Sequence, residues 1–578
     1  MMRKNIIVLI AGALLLTSIT TITTSLANSS NRTDFDPLVD VEVTVELQTI
    51  RWLEEKLSTL PGSMSIDVDA GIMPSAIQKA LGNNYGSSTA PFENLELGSS
   101  EFTISKKATT SQDELNFYVK VFVNDVEFES DVWENTKYIY DSGWSATLNV
   151  PDEEEFVNIR IQLWNAKLTG DVLCDISGDA DSKDVNLVYS IKTGHWTGDD
   201  ALSDASGYGR LCGCDDGTIY QQDDDCEIWF NIYQNDFDGD DIPYWIEVND
   251  YGTDPEVSNI GEDADNDDIP IEWEWKLGYD PLVWDNHNVL DPDGDSLNNY
   301  EEYLTSAWFS DPFRKDVYVE LDLMGVGPNG ETAYFPEQAA ELIQTAFDRQ
   351  NIIFHLDYGT MGGHDIIPYI YMVDQHSLNQ IYYNYFLHGN ENNWRRGVFH
   401  YGLVSYRAEG AAGYMFRNNA FQIASFGHDN MAKNKTYLDK DIIYASAYMH
   451  ELGHTFGFWP IPGHNRLGGI AGLMDWLRCL PYKSIMNYGY MYVMVDYSDG
   501  SRRSPDLDDW DPSRMLFDYF EDEWADVSVS SEPLAGATSS EVSQTQSSVL
   551  PSNNLNVISR PNLHQLVSFS AKISPLNN

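Results

Sequence analysis

The sequence predicts a multidomain chain in which a β-sandwich, a run of short acidic loops and an α/β domain follow one another. Three observations carry this reading: alternating strand-like runs between residues 101 and 233, a loop pattern that occurs three times between 236 and 302, and mixed strand and helix periodicity from 315 onward. Composition sets the outer limits. Arg and Lys number 34 against 91 Asp and Glu, a formal charge of −57, with 42% apolar residues. That much apolar material excludes a disordered acidic polymer. A surface so negative repels phosphate backbones and anionic lipid, so no nucleic-acid partner is expected, whereas divalent cations are.

Residues 1 to 27 have the layout of a secretory signal: Arg3 and Lys4, an apolar stretch from 6 to 16, then small residues at Ser25-Leu26-Ala27. The rival is an N-terminal anchor, but so short a run barely spans a bilayer, and no later run offers about 18 consecutive apolar residues. The expectation is an exported chain, secreted or at the cell surface, with no membrane insertion after signal cleavage. Residues 28 to 100 carry no assigned role. They combine an amphipathic helical pattern over 39 to 60 with Gly- and Ser-rich turns, and a propeptide is one reading.

From 101 to 233 the pattern becomes that of a β-sandwich, with alternating runs at 117 to 123, 156 to 163 and 185 to 191. Acidic loops at 152 to 155 and 175 to 184 make it similar to a calcium-binding C2-type module; a plain sandwich with solvated acidic loops is the alternative. Cys174, Cys212, Cys214 and Cys226 fall in this window. In an exported chain two disulfides are the simplest expectation, and a cysteine-only zinc site is the rival. Cys479 reads as a small buried apolar residue.

Residues 234 to 314 hold the repeat. Asp236, Asp238, Asp240, Ile242 and Glu247 form one unit; Asp263, Asp265, Asp267, Ile269 and Glu274 a second; Asp291, Asp293, Asp295, Leu297 and Glu302 a third. Each reads DxDxDx[IL]xxxxE. Calcium takes about six to eight oxygens, and carboxylates at positions 1, 3 and 5, a carbonyl at 7 and a bidentate Glu at 12 supply them. The loops resemble the EF-hand loop as used in thrombospondin type 3 or dockerin-like repeats, which implies several structural calcium ions. They depart from it at position 6, where Asp241, Asp268 and Ser296 replace the turn glycine.

The α/β domain spans 315 to 527, with strands expected at 317 to 323, 351 to 357, 397 to 406 and 420 to 426 and a helix at 336 to 350. Beyond 528 a Ser/Thr/Gln-rich tail reads as disordered. Another helix, opening after Lys440, carries His450-Glu451-Leu452-Gly453-His454. Two His one turn apart on one helix face can share a zinc ion, and the Glu beside the first suits a general base. Gly457 follows at the point where the helix must break, and Ser484-Ile485-Met486-Asn487-Tyr488 lies downstream.

Together these motifs resemble the metzincin clan of zinc endopeptidases, with its HExxHxxG element and a Met-turn of the form SxMxY. The resemblance implies one catalytic zinc on His450 and His454, Glu451 as general base, Met486 as the floor beneath the metal, and Tyr488 as zinc ligand or oxyanion support. It implies a secreted, calcium-stabilised endopeptidase that hydrolyses protein or peptide substrates by a zinc-activated water, with the strand at 420 to 426 as the substrate-pairing edge. The clan's third ligand falls here on Pro460, which cannot ligate. His464 is the nearest candidate, read as a four-residue insertion, and Asp475 the second. His355, His364, His400 and His428 read as core or loop residues. The alternatives are a cell-surface calcium-binding or adhesive protein with an inactive metzincin-like domain, and a zinc enzyme acting on a non-peptide bond.

Overall fold

Residues 41 to 47 alternate apolar and polar side chains, and they fold accordingly: Glu42–Trp52 is a β-strand, β1, and no part of a helix. β1 lies antiparallel between β4 (Tyr138–Asn149) and β10 (Cys226–Gln234), and β9 (Gly209–Cys212) extends the sheet beyond β10. The helical reading of 39 to 60 failed over its described part, 40 to 53, for an identifiable reason; residues 54 to 60 lie outside the described residues. The register slips between Leu47 and Thr49 against both neighbours, so Leu47 and Ile50, three residues apart, both face inward. A bulge imitates helical spacing.

The computed structural model describes residues 40–53, 115–200, 209–217, 224–434, 438–464, 475 and 478–517; the proposed signal segment and the Ser/Thr-rich tail lie outside these. It divides into two units. The first holds 40–53, 115–316 and 348–353 of the described residues, and the second the rest from Val317.

The first unit contains two facing sheets. β2 (Phe117–Val123), β3 (Val126–Glu129), β5 (Phe156–Asn165), β7 (Val185–Ser190) and β8 (Trp196–Gly198) form the second, in the order β3-β2-β5-β7-β8, with the short β6 (Val172–Leu173) on β5. Val43, Val45 and Leu47 from the first sheet share one buried cluster with Val119, Val121, Ile159 and Ile161 from the second. This is a β-sandwich. It begins at β1 rather than at residue 101, so part of the segment left unassigned belongs to it.

All five cysteines are thiols, so the structure holds neither of the two disulfides expected. The four in the sandwich stand as neighbouring pairs, Cys226 with Cys174 and Cys214 with Cys212. They sit in separate apolar clusters, which removes the cysteine-only zinc site. Cys479 is buried, as the sequence suggested.

After β10 the three acidic loops are tied together by small apolar cores rather than by long helices. Ile242 packs with Ile246, Ile271 and Trp275, and Ile269 with Trp273, Leu277 and Tyr300. The helices α1 (Ile271–Lys276) and α2 (Asn299–Thr305) are the only regular pieces needed to present Glu274 and Glu302. Asn298 caps α2 in a capping box with Glu301.

The second unit is a five-strand path, β12 (Ile353–Asp357), β11 (Asp316–Met324), β14 (Phe399–Ser405), β16 (Ala420–Ala424) and β15 (Gly413–Arg417), with β13 (Ile366–Ile367) on β11. β11, β14 and β16 run parallel; β15 is antiparallel to β16 and closes the edge. Its longest described helices are α3 (Glu337–Asp348), α4 (Ser425–Asn434) and α5 (Lys440–Thr455). The strand expected at 420 to 426 therefore has a neighbour on each side, and among the described residues the edge of the sheet on that side belongs to β15. The error is topological: a hairpin reversal places the earlier strand outside the later one, which strand periodicity alone does not show.

If β1 is a core strand, Leu47→Ala should destabilise the sandwich by about 2–5 kcal/mol in denaturant titration, whereas Thr49→Ala should change it by no more than about 0.5 kcal/mol.

Candidate metal centres and catalytic cleft

The acidic loops share one backbone design. The carboxylate at position 1 accepts the N–H of position 6 in all three: Asp236 from Asp241 at 2.7 Å, Asp263 from Asp268 at 3.0 Å, Asp291 from Ser296 at 3.1 Å. Position 6 has positive φ each time, 69°, 78° and 78°, so the turn that glycine usually makes is made by Asp241, Asp268 and Ser296. Position 5 takes the N–H of position 7 on one oxygen, Asp240 from Ile242, Asp267 from Ile269 and Asp295 from Leu297. Its other oxygen takes a backbone N–H from farther along, Asn259, Asp285 and Asp316 respectively.

These bonds leave the remaining acids facing inward. Asp236, Asp238 and Asp240 form one cluster with an oxygen from each within 4.8 Å of the others; Asp263, Asp265 and Asp267, and Asp291, Asp293 and Asp295, form two more. Glu247, Glu274 and Glu302 at position 12 are all buried. Both oxygens of Asp238, Asp265, Glu274 and Glu302 are buried without a hydrogen-bond partner. A solvated acidic linker has no reason to bury unpaired carboxylates, which are costly unless a cation compensates them. The clusters are thus able to hold metal ions. Ile242, Ile269 and Leu297 are at position 7 because their side chains are buried, which leaves the carbonyl for the ion.

Burial first, and neighbouring carboxylates next, push Glu247 up to about 8. Burial pushes Glu274 to about 7 despite the His287 ring, and Asp295 to about 7. The acidic loops of the sandwich look different: Glu155 pairs with Lys192 at 2.9 Å, and Asp184 accepts from Gln162 at 2.9 Å.

In the second unit α5 is buried along most of its length and begins at Asp439, whose side chain caps the N–H of Asp441. It ends in a Schellman motif: Gly457 N–H donates to His454 O at 3.1 Å and Phe458 N–H to Gly453 O at 3.4 Å, with Gly457 at φ 73°. Ile461-Pro462-Gly463-His464 then turns back, His464 N–H meeting Ile461 O at 3.3 Å with Gly463 at φ 75°. Proline followed by a positive-φ glycine is the type II arrangement. A Cβ on Gly463 would collide with the Asn487 side chain. Asn487 is itself held by the carbonyls of Cys479 and Tyr482, both at 3.0 Å.

The result is convergence. His450, His454 and His464 offer ring nitrogens that all lie within 4.8 Å of one another, and Asp475 is not part of the group. His464 Nε2 stands 3.3 Å from His450 Nε2. His450 Nδ1 lies 2.7 Å from Ile485 O; donating there leaves Nε2 with a lone pair for a metal. Burial first, then a neighbouring imidazole, lowers His454 to about 4 and holds His450 well below the ordinary imidazole value. Both rings are neutral at pH 7, the form that ligates.

The other motif residues surround this group. A Cβ on Gly453 would lie 2.5 Å from Met486 Sδ, so the sulfur rests against the helix between the two His. The Tyr488 ring stands 4.2 Å from that of His464 and 5.5 Å from that of His450. Glu451 is buried, and a Cβ on Gly413 would lie 2.6 Å from its Oε1, which sets the carboxylate against the edge strand β15. His355 stacks on Tyr318, His400 packs on Phe456, His364 meets Leu321 O and His428 meets Ala424 O, and none of the four belongs to the three-histidine group. His287, which nothing in the sequence spacing singled out, lies buried beside Asp267 and Glu274.

No family model and no curated protein matches the chain. Among solved structures, a C2 domain is 10% identical, covering 34% of this chain and 98% of that one, at TM-score 0.16. A C2 domain of plant extended synaptotagmin 1 is 9% identical over 34% and 94%, at 0.15. Human GIVD cytosolic phospholipase A2 is 9% identical at 0.16, but 34% of this chain spans only 17% of that enzyme. Scores this low bear on neither fold nor function. Among the described residues, no helix is long and apolar enough to cross a membrane.

Two outcomes follow. Without calcium, the folded repeats bind more protons near neutrality than the unfolded chain, because Glu247, Glu274 and Asp295 are raised. Stability must then fall as pH rises towards about 8. Calorimetry of the calcium-free chain should show a higher melting temperature at pH 6 than at pH 8, and saturating calcium should abolish that gain. Separately, Gly463→Ala should displace His464 and lower zinc retention at least about tenfold, as loss of a supporting contact does, measured by metal analysis after dialysis.

Proposed function

We propose that the chain is an exported zinc endopeptidase whose acidic repeats are stabilised by calcium. The observation that carries this reading is the convergence of His450, His454 and His464 with Glu451 alongside, above a buried Met486. Three imidazoles, with no fourth protein ligand in the group, suit catalytic zinc, whereas structural sites would supply a fourth. His464 fills the place that Pro460 leaves vacant.

Zinc held there supplies Lewis acidity towards a water and a peptide carbonyl. The protein's own groups do the rest. Glu451 sits next to the first ligand, takes a proton from the attacking water and returns it to the leaving amine. Tyr488, whose ring lies beside those of His464 and His450, would donate its hydroxyl hydrogen to the carbonyl oxygen as negative charge develops. Met486 and the buried helix wall keep the imidazoles fixed. The free edge of β15 offers backbone N–H and C=O groups to an extended peptide, and Gly413 places that edge against Glu451. No covalent acyl-enzyme is needed.

Calcium on the repeats raises stability by mass action, since only the folded loops gather the carboxylates. Casein hydrolysis by the purified chain tests the reading. It should be lost on chelation and restored by zinc. Glu451→Ala should fall by about 10²–10⁴-fold with zinc still bound, and Tyr488→Phe by up to about 10²–10³-fold in kcat with KM little changed. Hydrolysis that survives Glu451→Ala would remove the mechanism, and a purified chain free of zinc would remove the function.

A further inference from the structure

The three acidic loops are alike in backbone but not in what surrounds them. The position-5 carboxylate of each accepts an N–H from a later segment, and that segment delivers a different residue two places on: Gly261 after Asn259, His287 after Asp285, and Tyr318 after Asp316. Only the second brings an imidazole. His287 Nε2 stands 3.1 Å from Asp267 Oδ2 and 3.5 Å from Glu274 Oε1, with all three side chains fully buried. One ligand atom from each of Asp267, Glu274 and His287 falls within 4.8 Å of the others.

The ring is held for this purpose. Asn299 approaches its Nδ1 at 3.0 Å, and Trp273 and Tyr279 stand edge-on at 6.0 and 5.0 Å. Nε2 consequently faces the carboxylates and has no hydrogen-bond partner of acceptable geometry, and neither have both oxygens of Asp265 and Glu274. In the third loop the corresponding cationic neighbour is Lys315, whose ammonium donates to the Asp293 carbonyl and cannot ligate.

We propose that the second loop is a mixed nitrogen and oxygen site, built from Asp265, Asp267, Glu274 and His287, that takes a first-row transition-metal ion in preference to calcium. Imidazole is a poor ligand for calcium and a good one for manganese, iron or zinc, while three carboxylates keep the site hard enough for Mn²⁺. The first and third loops, with oxygen ligands alone, remain calcium sites. The inference rests on reading the repeats as cation sites and sharpens that reading for one of them.

Mn²⁺ is the probe. The full chain is stripped of metal, given a single equivalent of zinc for the three-histidine group, held in excess calcium and titrated with Mn²⁺, and the electron spin-echo modulation of the bound ion is recorded. The expected result is one Mn²⁺ per chain, retained against calcium, with the nitrogen modulation of a single imidazole. His287→Gln should remove the nitrogen signal and weaken retention by at least the roughly ten- to hundredfold that loss of an outer-shell partner costs. Calcium binding at the other two loops should persist. Mn²⁺ bound without nitrogen modulation, or displaced by calcium while the repeats still bind calcium, overturns the proposal and leaves the calcium reading intact. Repeats that bind neither ion take down both. A nitrogen signal that survives His287→Gln and disappears in His464→Ala belongs to the three-histidine group and also overturns it. Should His287→Gln fail to fold, the wild-type spectrum alone decides.

Discussion

Three imidazoles can meet at one point only if the chain leaving α5 reverses within the few residues between His454 and His464. Gly457 makes the first half of that reversal by ending the helix in a left-handed conformation, and Pro462-Gly463 makes the second. The remaining parts depend on it. The reversal brings Gly463 onto Asn487, and so fixes the third imidazole against the turn that also carries Met486, Tyr488 and the Ile485 carbonyl that orients His450. One backbone feature therefore brings the three imidazoles, Met486 and Tyr488 together, and a side chain at Gly463 would collide with Asn487 in the turn that carries the last two.

The repeats obey a different constraint, that of charge. Three loops gather carboxylates whose oxygens are already committed at positions 1 and 5 to backbone N–H groups, leaving both oxygens of Asp238 and Asp265 at position 3 and of Glu274 and Glu302 at position 12 buried and unpaired. Such an arrangement is unfavourable by itself and becomes favourable when a cation occupies it. The cores built by Ile242 and Ile269 are small.

Much of this was legible in the sequence where chemistry is written at fixed local spacing. His450 and His454 sit one helical turn apart, and the three acidic loops repeat their carboxylates at constant offsets, so both could be read directly. His464 was reachable because Pro460 excluded the nearer position. What escaped was set by non-local structure. β1 was misread because a bulge at Leu47 breaks the two-residue period. The free edge went to the wrong strand because a hairpin folds β15 outside β16. His287 has no partner at ligand spacing, and only the return of its segment onto Asp267 reveals it.

The most direct test of the account is a crystal structure with anomalous scattering collected on both sides of the zinc edge. The account predicts a zinc peak at about 2.0–2.1 Å from nitrogens of His450, His454 and His464, with Glu451 beside its open face. A zinc peak on Asp475, or none within reach of His464, would contradict it.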